Sequence, residues 1–348
     1  MEILRIGRLD PSANPRGAEM TTFSLTRTAG GEPQFSALFG HDRTLNALSV
    51  DLNHPFKLAP FPGGVVHPAL RAHGPLGPLY GFGGDFDGGP ASAGAPEAHA
   101  LHSELAWGIP SDIQICSDES GLRIWGKFGF NMLMVNPAAT VNVSLGRIVG
   151  LLPPPARGYL VKDIWIAERD SHIMLLAHPN FQVTEGTRIM VSATTVQARD
   201  AIADEGLKDW QLMKGLGESV PEQCFFLSGI KAPEGLFRML CVDATGQFGC
   251  CVRYESPGLP PELSNGTIWK NFGDSVVGLE FGSLPIGREA ALAATEPHRR
   301  LFLLKRGECL KTLRQVEFLE GEALQQEIDL IHSACPSQQL LTSEGKPL

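Results

Sequence analysis

Charge is scarce in this sequence. Asp, Glu, Lys and Arg make up 19% of its 348 residues, against a usual share of about 25%. Basic side chains are the scarcer sign, 29 against 38 acidic, for a formal charge of −9. A nucleic-acid binder normally presents a basic face to the phosphates, so this balance argues against one. Long apolar runs are missing as well: none approaches the ~20 residues that cross a bilayer as a helix. The opening Met1-Glu2-Ile3-Leu4-Arg5-Ile6-Gly7-Arg8 is broken by charge every two or three residues and lacks the apolar core of a signal peptide. No Cys-x-x-Cys pair occurs among the seven cysteines, at positions 116, 224, 241, 250, 251, 309 and 335. The count is odd, and a strand would send Cys250 and Cys251 to opposite faces, which speaks against a disulfide framework or a thiolate metal site. Reduced, mostly buried thiols in a soluble cytoplasmic protein are the expectation.

Turn-forming residues are abundant instead. The 39 glycines and 26 prolines make up close to a fifth of the chain, while 43% of it is apolar. That apolar content is too high for wholesale disorder. So many turn-formers in a foldable chain predict many short strands rather than a few long helices.

The pattern agrees. Phe35–Phe39 and Leu45–Val50 read as two strands around a charged turn at His41-Asp42-Arg43. Strand-like segments recur at Ile113–Cys116, Gly121–Phe130, Thr140–Val149, Tyr159–Ala167, Ser171–Ala177 and Arg188–Thr195. Others follow at Phe225–Gly229, Phe237–Val242, Phe248–Tyr254, Ser275–Phe281 and Arg299–Leu304, with turn signals such as Asn265-Gly266 between them. In Leu122-Arg123-Ile124-Trp125-Gly126-Lys127-Phe128 the even positions are apolar and two odd ones basic, as in a strand buried on one face. Helices are expected only at Ala198–Leu212, with Asp200 and Asp204 early and Lys208 late, and at Glu322–His332, where Leu324, Ile328 and Ile331 share a face. No repeat and no linker divides the chain. A single antiparallel all-β domain over residues 1–348, with minor helix, is the expectation.

The segment Gly81-Phe82-Gly83-Gly84-Asp85-Phe86-Asp87-Gly88-Gly89 could pass for a phosphate cradle. It lacks the lysine of a P-loop and carries aspartates where a phosphate would sit. A substrate-lining or surface loop fits better.

Polar residues inside apolar strands are more informative, because burial costs a polar group unless it has a partner or a task. His102 sits in Ala100-Leu101-His102-Ser103-Glu104, His178 follows Ile173-Met174-Leu175-Leu176-Ala177, and Glu280 lies in Val276-Val277-Gly278-Leu279-Glu280-Phe281. Singly, each could be a structural histidine or a solvent-facing glutamate on an edge strand. Together they make an acid/base set, with imidazole able to titrate near neutrality. A metal reading also exists: His99-x-x-His102-x-Glu104 with His178 is like the ligand cluster of metal-binding cupins. On a strand, however, positions 99 and 102 face opposite sides, so that reading needs a bulge or a loop.

These segments, in their order and spacing, resemble the galactose-mutarotase-like superfamily, and within it a bacterial aldose 1-epimerase family formerly of unknown function. The similarity runs from about Phe35 to about Leu319. It is carried by His41-Asp42-Arg43, Leu101-His102-Ser103, Met174–Phe181, Arg199-Asp200, Pro221-Glu222-Gln223, Trp269-Lys270, Gly278-Leu279-Glu280 and Gly287-Arg288. The resemblance implies a β-supersandwich of two large antiparallel sheets with a sugar cleft. It further implies His178 as general acid, Glu280 as base and His102 as a histidine supporting charge near the ring oxygen. Arg43, Trp269 and Arg288 fall where cleft-lining residues would be. Three departures stand out: Ser103 for the usual glycine, Ala177 for the usual tyrosine, and Pro179 fixing φ directly after the implied acid.

The implied activity is that of an aldose 1-epimerase, interconverting the anomers of a free sugar or small sugar derivative. It needs no metal and no organic cofactor, since one base and one acid on opposite sides of the ring suffice. The expected partner is a small carbohydrate, with neither nucleic acid nor membrane. A carbohydrate-binding or sugar-sensing protein on the same fold, or an isomerase or lyase in the same cleft, are the alternatives.

Overall fold

The computed structural model describes residues 1–9, 20–40, 45–51, 54–58, 65–66, 81–82, 85–87, 110–118, 121–133, 140–173, 175–217, 220–255, 258–259, 264–282 and 302–348. Strands β1 (Glu2–Leu9), β2 (Met20–Ala29), β3 (Glu32–Gly40) and β4 (Asn46–Asp51) form an antiparallel meander. Short pieces follow: β5 (Lys57–Leu58), β6 (Val65–Val66), β7 (Gly81–Phe82) and β8 (Asp85–Asp87). A second meander comprises β9 (Asp112–Asp118), β10 (Gly121–Leu133), β11 (Thr140–Leu151) and β12 (Gly158–Ala167). Then come β13 (Ser171–Ile173), β14 (Leu176–Gln182), β15 (Arg188–Val191), β16 (Ala193–Ala198) and helix α1 (Ala201–Gly206). Strands β17 (Gln223–Ile230), β18 (Phe237–Val242), β19 (Phe248–Glu255), β20 (Asn265–Asn271), β21 (Val276–Gly282) and β22 (Phe302–Leu304) follow. The chain closes with β23 (Cys309–Glu320), α2 (Gly321–Ala334) and β24 (Gln339–Leu341).

Two eight-stranded sheets dominate. One runs β15-β18-β19-β23-β12-β11-β10-β9; the other runs β24-β16-β17-β20-β21-β14-β5, with β8 also paired to β14. Among the described residues every ladder is antiparallel except β16 with β24. The expected all-β architecture of large antiparallel sheets is therefore present. No helix among the described residues is long and apolar enough to cross a membrane. All seven cysteines are free thiols.

Alternation along each strand builds the core. In β10, Ile124, Gly126 and Phe128 are buried while Lys127 is exposed, as the sequence pattern required. Phe181, Phe225, Leu227, Ile268, Val277, Leu279 and Phe281 of one sheet join Val161, Trp165, Met239, Val252, Tyr254 and Val316 of the other in one buried cluster. Burying each large apolar side chain contributes about 1.5–3 kcal/mol. The Tyr254 hydroxyl donates to the Leu279 carbonyl at 2.7 Å, and its ring stacks on Phe281 at 5.0 Å between centroids, pinning the sheets together. The first meander joins this core through Phe39, edge-on to Tyr159 at 6.0 Å. His54 is also a core residue: Nδ1 accepts from the Phe56 amide and Nε2 lies 3.2 Å from the Leu319 carbonyl. Burial pushes its imidazole below the ordinary value, keeping it neutral.

Several local expectations are corrected. Arg188–Thr195 is two strands in different sheets, divided at Ser192. There the hydroxyl donates to the Lys231 carbonyl at 2.7 Å and accepts the Arg238 amide at 2.9 Å, beside the backbone bonds that Ser192 makes to the same two residues where the chain changes sheet. Ser171–Ala177 likewise divides between β13 and β14. Asn265-Gly266 is not a turn but the start of β20, where a Cβ on Gly266 would meet Leu227 Cδ1 at 2.9 Å and the Phe237 ring at 3.0 Å. The helix expected from Ala198 begins only at Ala201, because Ala198 is paired with Phe225 in the sheet. Asp200 caps α1 by accepting the Ala203 amide at 3.0 Å.

Candidate functional site

The site rests on one face of the second large sheet. Residues two apart on a strand share a face, and registered partners on neighbouring strands share it too. Asn180 pairs with Gly278, Gly278 with Trp269, and Trp269 with Cys224. The pairs Ala177–Phe281 and Asn180–Gly278 flank the position where His178 stands opposite Glu280. So β14, β21, β20 and β17 bring His178, Asn180, Gly278, Glu280, Trp269 and Cys224 to one surface. The opposite surface carries Phe181, Leu279, Ile268 and Phe225 into the core. His178 lies within strand β14 rather than after it, and Pro179, which has no N–H to give to a ladder, stands beside it.

His178 Nε2 and Glu280 Oε1 are 3.1 Å apart. Both residues are buried, at 6% exposure each. Burial is the main reason that the Glu280 carboxyl is pushed up to about 8; the Arg199 cation opposes the shift and the Glu222 carboxylate adds to it. At neutral pH the two side chains therefore hold a proton between them, and its titration belongs to the pair.

Trp269 stands beside this pair. Its ring meets the His178 imidazole edge to face, with centroids 5.8 Å apart and planes at 73°. The indole Nε1 donates to Glu222 Oε2 at 3.0 Å. Glu222 Oε1 accepts from Arg199 Nη2 at 3.2 Å, and Arg199 Nε donates to Asp200 Oδ2 at 2.7 Å. Gly278 forms the floor: a Cβ there would lie 2.8 Å from His178 Cε1 and 3.2 Å from both Asn180 Oδ1 and Glu280 Oε1. The Cys224 thiol is buried in the same neighbourhood, and desolvation pushes it far above its ordinary value, so it stays protonated.

Three of the six residues expected from the sequence lie within the described structure: His178, Glu280 and Trp269, and they are brought together. His102, Arg43 and Arg288 lie outside the described residues, as do His99 and Glu104 of the metal reading. Among the described residues no group of three or more His, Cys, Asp or Glu is placed to hold a metal ion. The glycine-rich segment runs beside the site in part, since Asp85, Phe86 and Asp87 of β8 pair with Pro179, His178 and Ala177 of β14. Sequence reasoning gave no role to Glu222, Arg199, Asn180 or Gly278. Asn180 and Gly278 could have been found by counting two residues along from His178 and Glu280, but the link from Glu222 to Trp269 has no local signal.

No protein-family model and no curated protein matches the chain. Solved structures do. A candidate aldose 1-epimerase from Klebsiella pneumoniae superposes with a TM-score of 0.74 over 98% of this chain and 98% of its own, at 14% identity. A galactose mutarotase-like protein from Clostridium acetobutylicum gives 0.54 over 92% of this chain and 99% of its own, at 13% identity. A candidate mutarotase from Salmonella typhimurium gives 0.52 over 92% and 94%, at 12% identity. The fold is thus galactose-mutarotase-like.

Proposed function

We propose that the protein is an aldose 1-epimerase-type enzyme that interconverts the anomers of a free sugar or small sugar derivative. The observation that carries this reading is the buried His178–Glu280 pair at 3.1 Å on a sheet face of a mutarotase-like fold. In the competent form Glu280 is the carboxylate and His178 the imidazolium. Glu280 takes the proton of the anomeric hydroxyl while His178 gives its proton to the ring oxygen, and the C1–O5 bond breaks to leave an open-chain aldehyde. Rotation about C1–C2 then presents the other carbonyl face. On closure the C5 hydroxyl attacks C1, its proton passes to His178, and Glu280 returns its proton to the carbonyl oxygen. The pair ends with the one mobile proton it began with.

Both oxygens that exchange protons are bonded to C1. An acid and a base serving them work as neighbours, and the adjacent placement of His178 and Glu280 suits this better than the opposed placement expected from the sequence. Each proton transfer contributes about 10²–10⁴-fold. In the same reading His102 supports charge near the ring oxygen, and Arg43 and Arg288 line the sugar cleft.

The test is NMR magnetisation exchange between α and β anomers across free aldoses and acidic sugars, comparing wild type with Glu280→Gln. Exchange accelerated by wild type and lost in the variant supports the enzyme. Sugar binding without acceleration would replace it with the sensor reading, and a new carbonyl or unsaturated product with an isomerase or lyase.

A further inference from the structure

Trp269 lies between the His178–Glu280 pair and the Arg199–Glu222 ion pair. Arg199 bridges two carboxylates: Nη2 donates to Glu222 at 3.2 Å, and Nε donates to Asp200 at 2.7 Å. Asp200 in turn caps α1 through the Ala203 amide at 3.0 Å. Glu222 passes the line on by accepting the Trp269 indole N–H at 3.0 Å. The indole then meets the imidazole edge to face at 5.8 Å. Each joint is a directional contact, and together they run from the first turn of a helix to His178.

The indole is a poor platform for a sugar. A stacking platform must offer an open ring face, and Trp269 is only 5% exposed. A proton donor needs only one accessible atom, so the same degree of burial suits His178. The imidazole also needs a lateral support. Rotation of a histidine ring about its last torsion is soft, and Gly278 beneath it supplies room rather than restraint, having no Cβ. Trp269 is the registered cross-strand neighbour of Gly278 and stands where such a support is required.

We propose that Glu222 is a positioning residue that acts through Trp269: its carboxylate, held by Arg199, fixes the indole, and the indole fixes the imidazole plane so that Nε2 stays aligned on Glu280. The catalytic consequence rests on the mutarotase reading above; the geometric one does not. The ion pair also sets the charge around Glu280, which is faced by His178, Arg199, Glu222 and Cys224. Glu222 strengthens the hold of Glu280 on its proton and Arg199 weakens it.

The experiment compares Glu222→Leu, Glu222→Gln, Trp269→Phe and the Glu222→Leu/Trp269→Phe double variant. Steady-state anomer exchange and the ¹⁵N resonances of the His178 imidazole are read for each. Misplacement of a catalytic group by about 1 Å costs on the order of 100-fold. Glu222→Leu and Trp269→Phe should each lower kcat by about 10- to 100-fold with KM changed less than about threefold, and the double variant should be no worse than either single one. Glu222→Gln has a single acceptor oxygen, which can keep the indole N–H but not the Arg199 bond as well, so its kcat should fall less than that of Glu222→Leu while its alkaline pH limb moves to lower pH. A raised KM with kcat intact would make Glu222 a direct sugar contact and overturn the proposal, as would additive losses in the double variant.

The imidazole resonances separate the two readings. They should shift in both Glu222→Leu and Trp269→Phe; unchanged resonances in both overturn the positioning role whatever the turnover. Resonances shifted in both variants, when the wild-type protein turns over no sugar, uphold the positioning and defeat the mutarotase reading instead.

Discussion

His178 and Glu280 face each other across neighbouring strands with Nε2 and Oε1 3.1 Å apart and 8% of each side chain exposed. Two ionisable groups so close and so dry share one proton over a wide pH range. Glu280 is held up to about 8, chiefly by burial. kcat/KM should therefore fall as pH rises through about 8, because the pair then loses the proton that His178 must deliver. A kcat/KM still rising at pH 9 would show that the shared proton is not used.

The same shift bears on stability with a definite sign. Glu280 is raised from its ordinary 4.5 to about 8 in the folded chain, so the unfolded chain gives up this proton first. Folding loses stability as pH rises from 4.5 towards 8. Glu280→Gln should match wild type in denaturant melts at pH 4 and exceed it at pH 8. A constant difference across that range would refute the burial argument.

Gly278 lies under the imidazole, and Gly278→Ala would set a methyl 2.8 Å from His178 Cε1. Something must move, and the ring is pushed against its Trp269 and Glu280 contacts. The expected outcome is a fall in kcat on the order of 100-fold with the thermal midpoint lowered by the overpacking, which costs about 1–3 kcal/mol. A fully active alanine variant would show that the ring position tolerates this displacement.

Lys270 is buried on the opposite face of β20, where Nζ donates to the Leu212 carbonyl at 2.8 Å and sits 5.3 Å from the Phe225 ring centre. Desolvation pushes its amine down to about 7 from 10.5. A lysine lowered in this way leaves the folded state least favoured below pH 7, and the deficit is relieved as pH rises from 7 to 10.5. Relative to Lys270→Met, wild-type stability should rise between pH 7 and 9. A flat difference between the two proteins would mean that the amine stays charged in the fold.

Helix α2 docks through a buried glutamate. Glu327 Oε1 lies in ion-pair contact with Arg238 Nε at 2.8 Å, its Oε2 accepts from Arg253 Nη2 at 2.6 Å, and the Cys251 thiol donates to it at 3.2 Å. Removing one partner of a buried ion pair costs about 3–5 kcal/mol. Glu327→Leu should show a loss at or below the lower end of that range in urea unfolding, since Arg238 keeps Glu234 and Arg253 keeps Glu317 when the buried carboxylate between them is removed. A change below about 1 kcal/mol would place the docking energy in the apolar contacts of Leu324 and Ile331.

The strand pattern was legible wherever alternation was clean. Phe237–Val242 is a strand with the expected bounds, and β10, β11, β12 and β19 contain the segments expected for them. The β1 and β2 strands carry no clean alternation, because charge and threonine interrupt their apolar positions. For α2 the helical repeat identifies the apolar face at Leu324 and Ile331, yet Glu327 is buried on that face too. Nothing in a helical repeat shows that two arginines from β18 and β19 will meet it. At the site, His178 and Glu280 were recognisable as polar residues in apolar runs, whereas Glu222 at the edge of a polar stretch was not.

What the sequence by itself determined is local: the period of two, the glycine and proline that end each strand, and hence the all-β class and the polar positions out of place within it. Alternation says which residues share a face of one strand. It cannot say which strands will be neighbours, because register between segments about a hundred residues apart is settled by the packing of the whole core. Only the tertiary structure therefore decided that position 178 stands opposite 280, that Trp269 turns its N–H to Glu222, and that a glutamate in a dry site holds its proton to about pH 8.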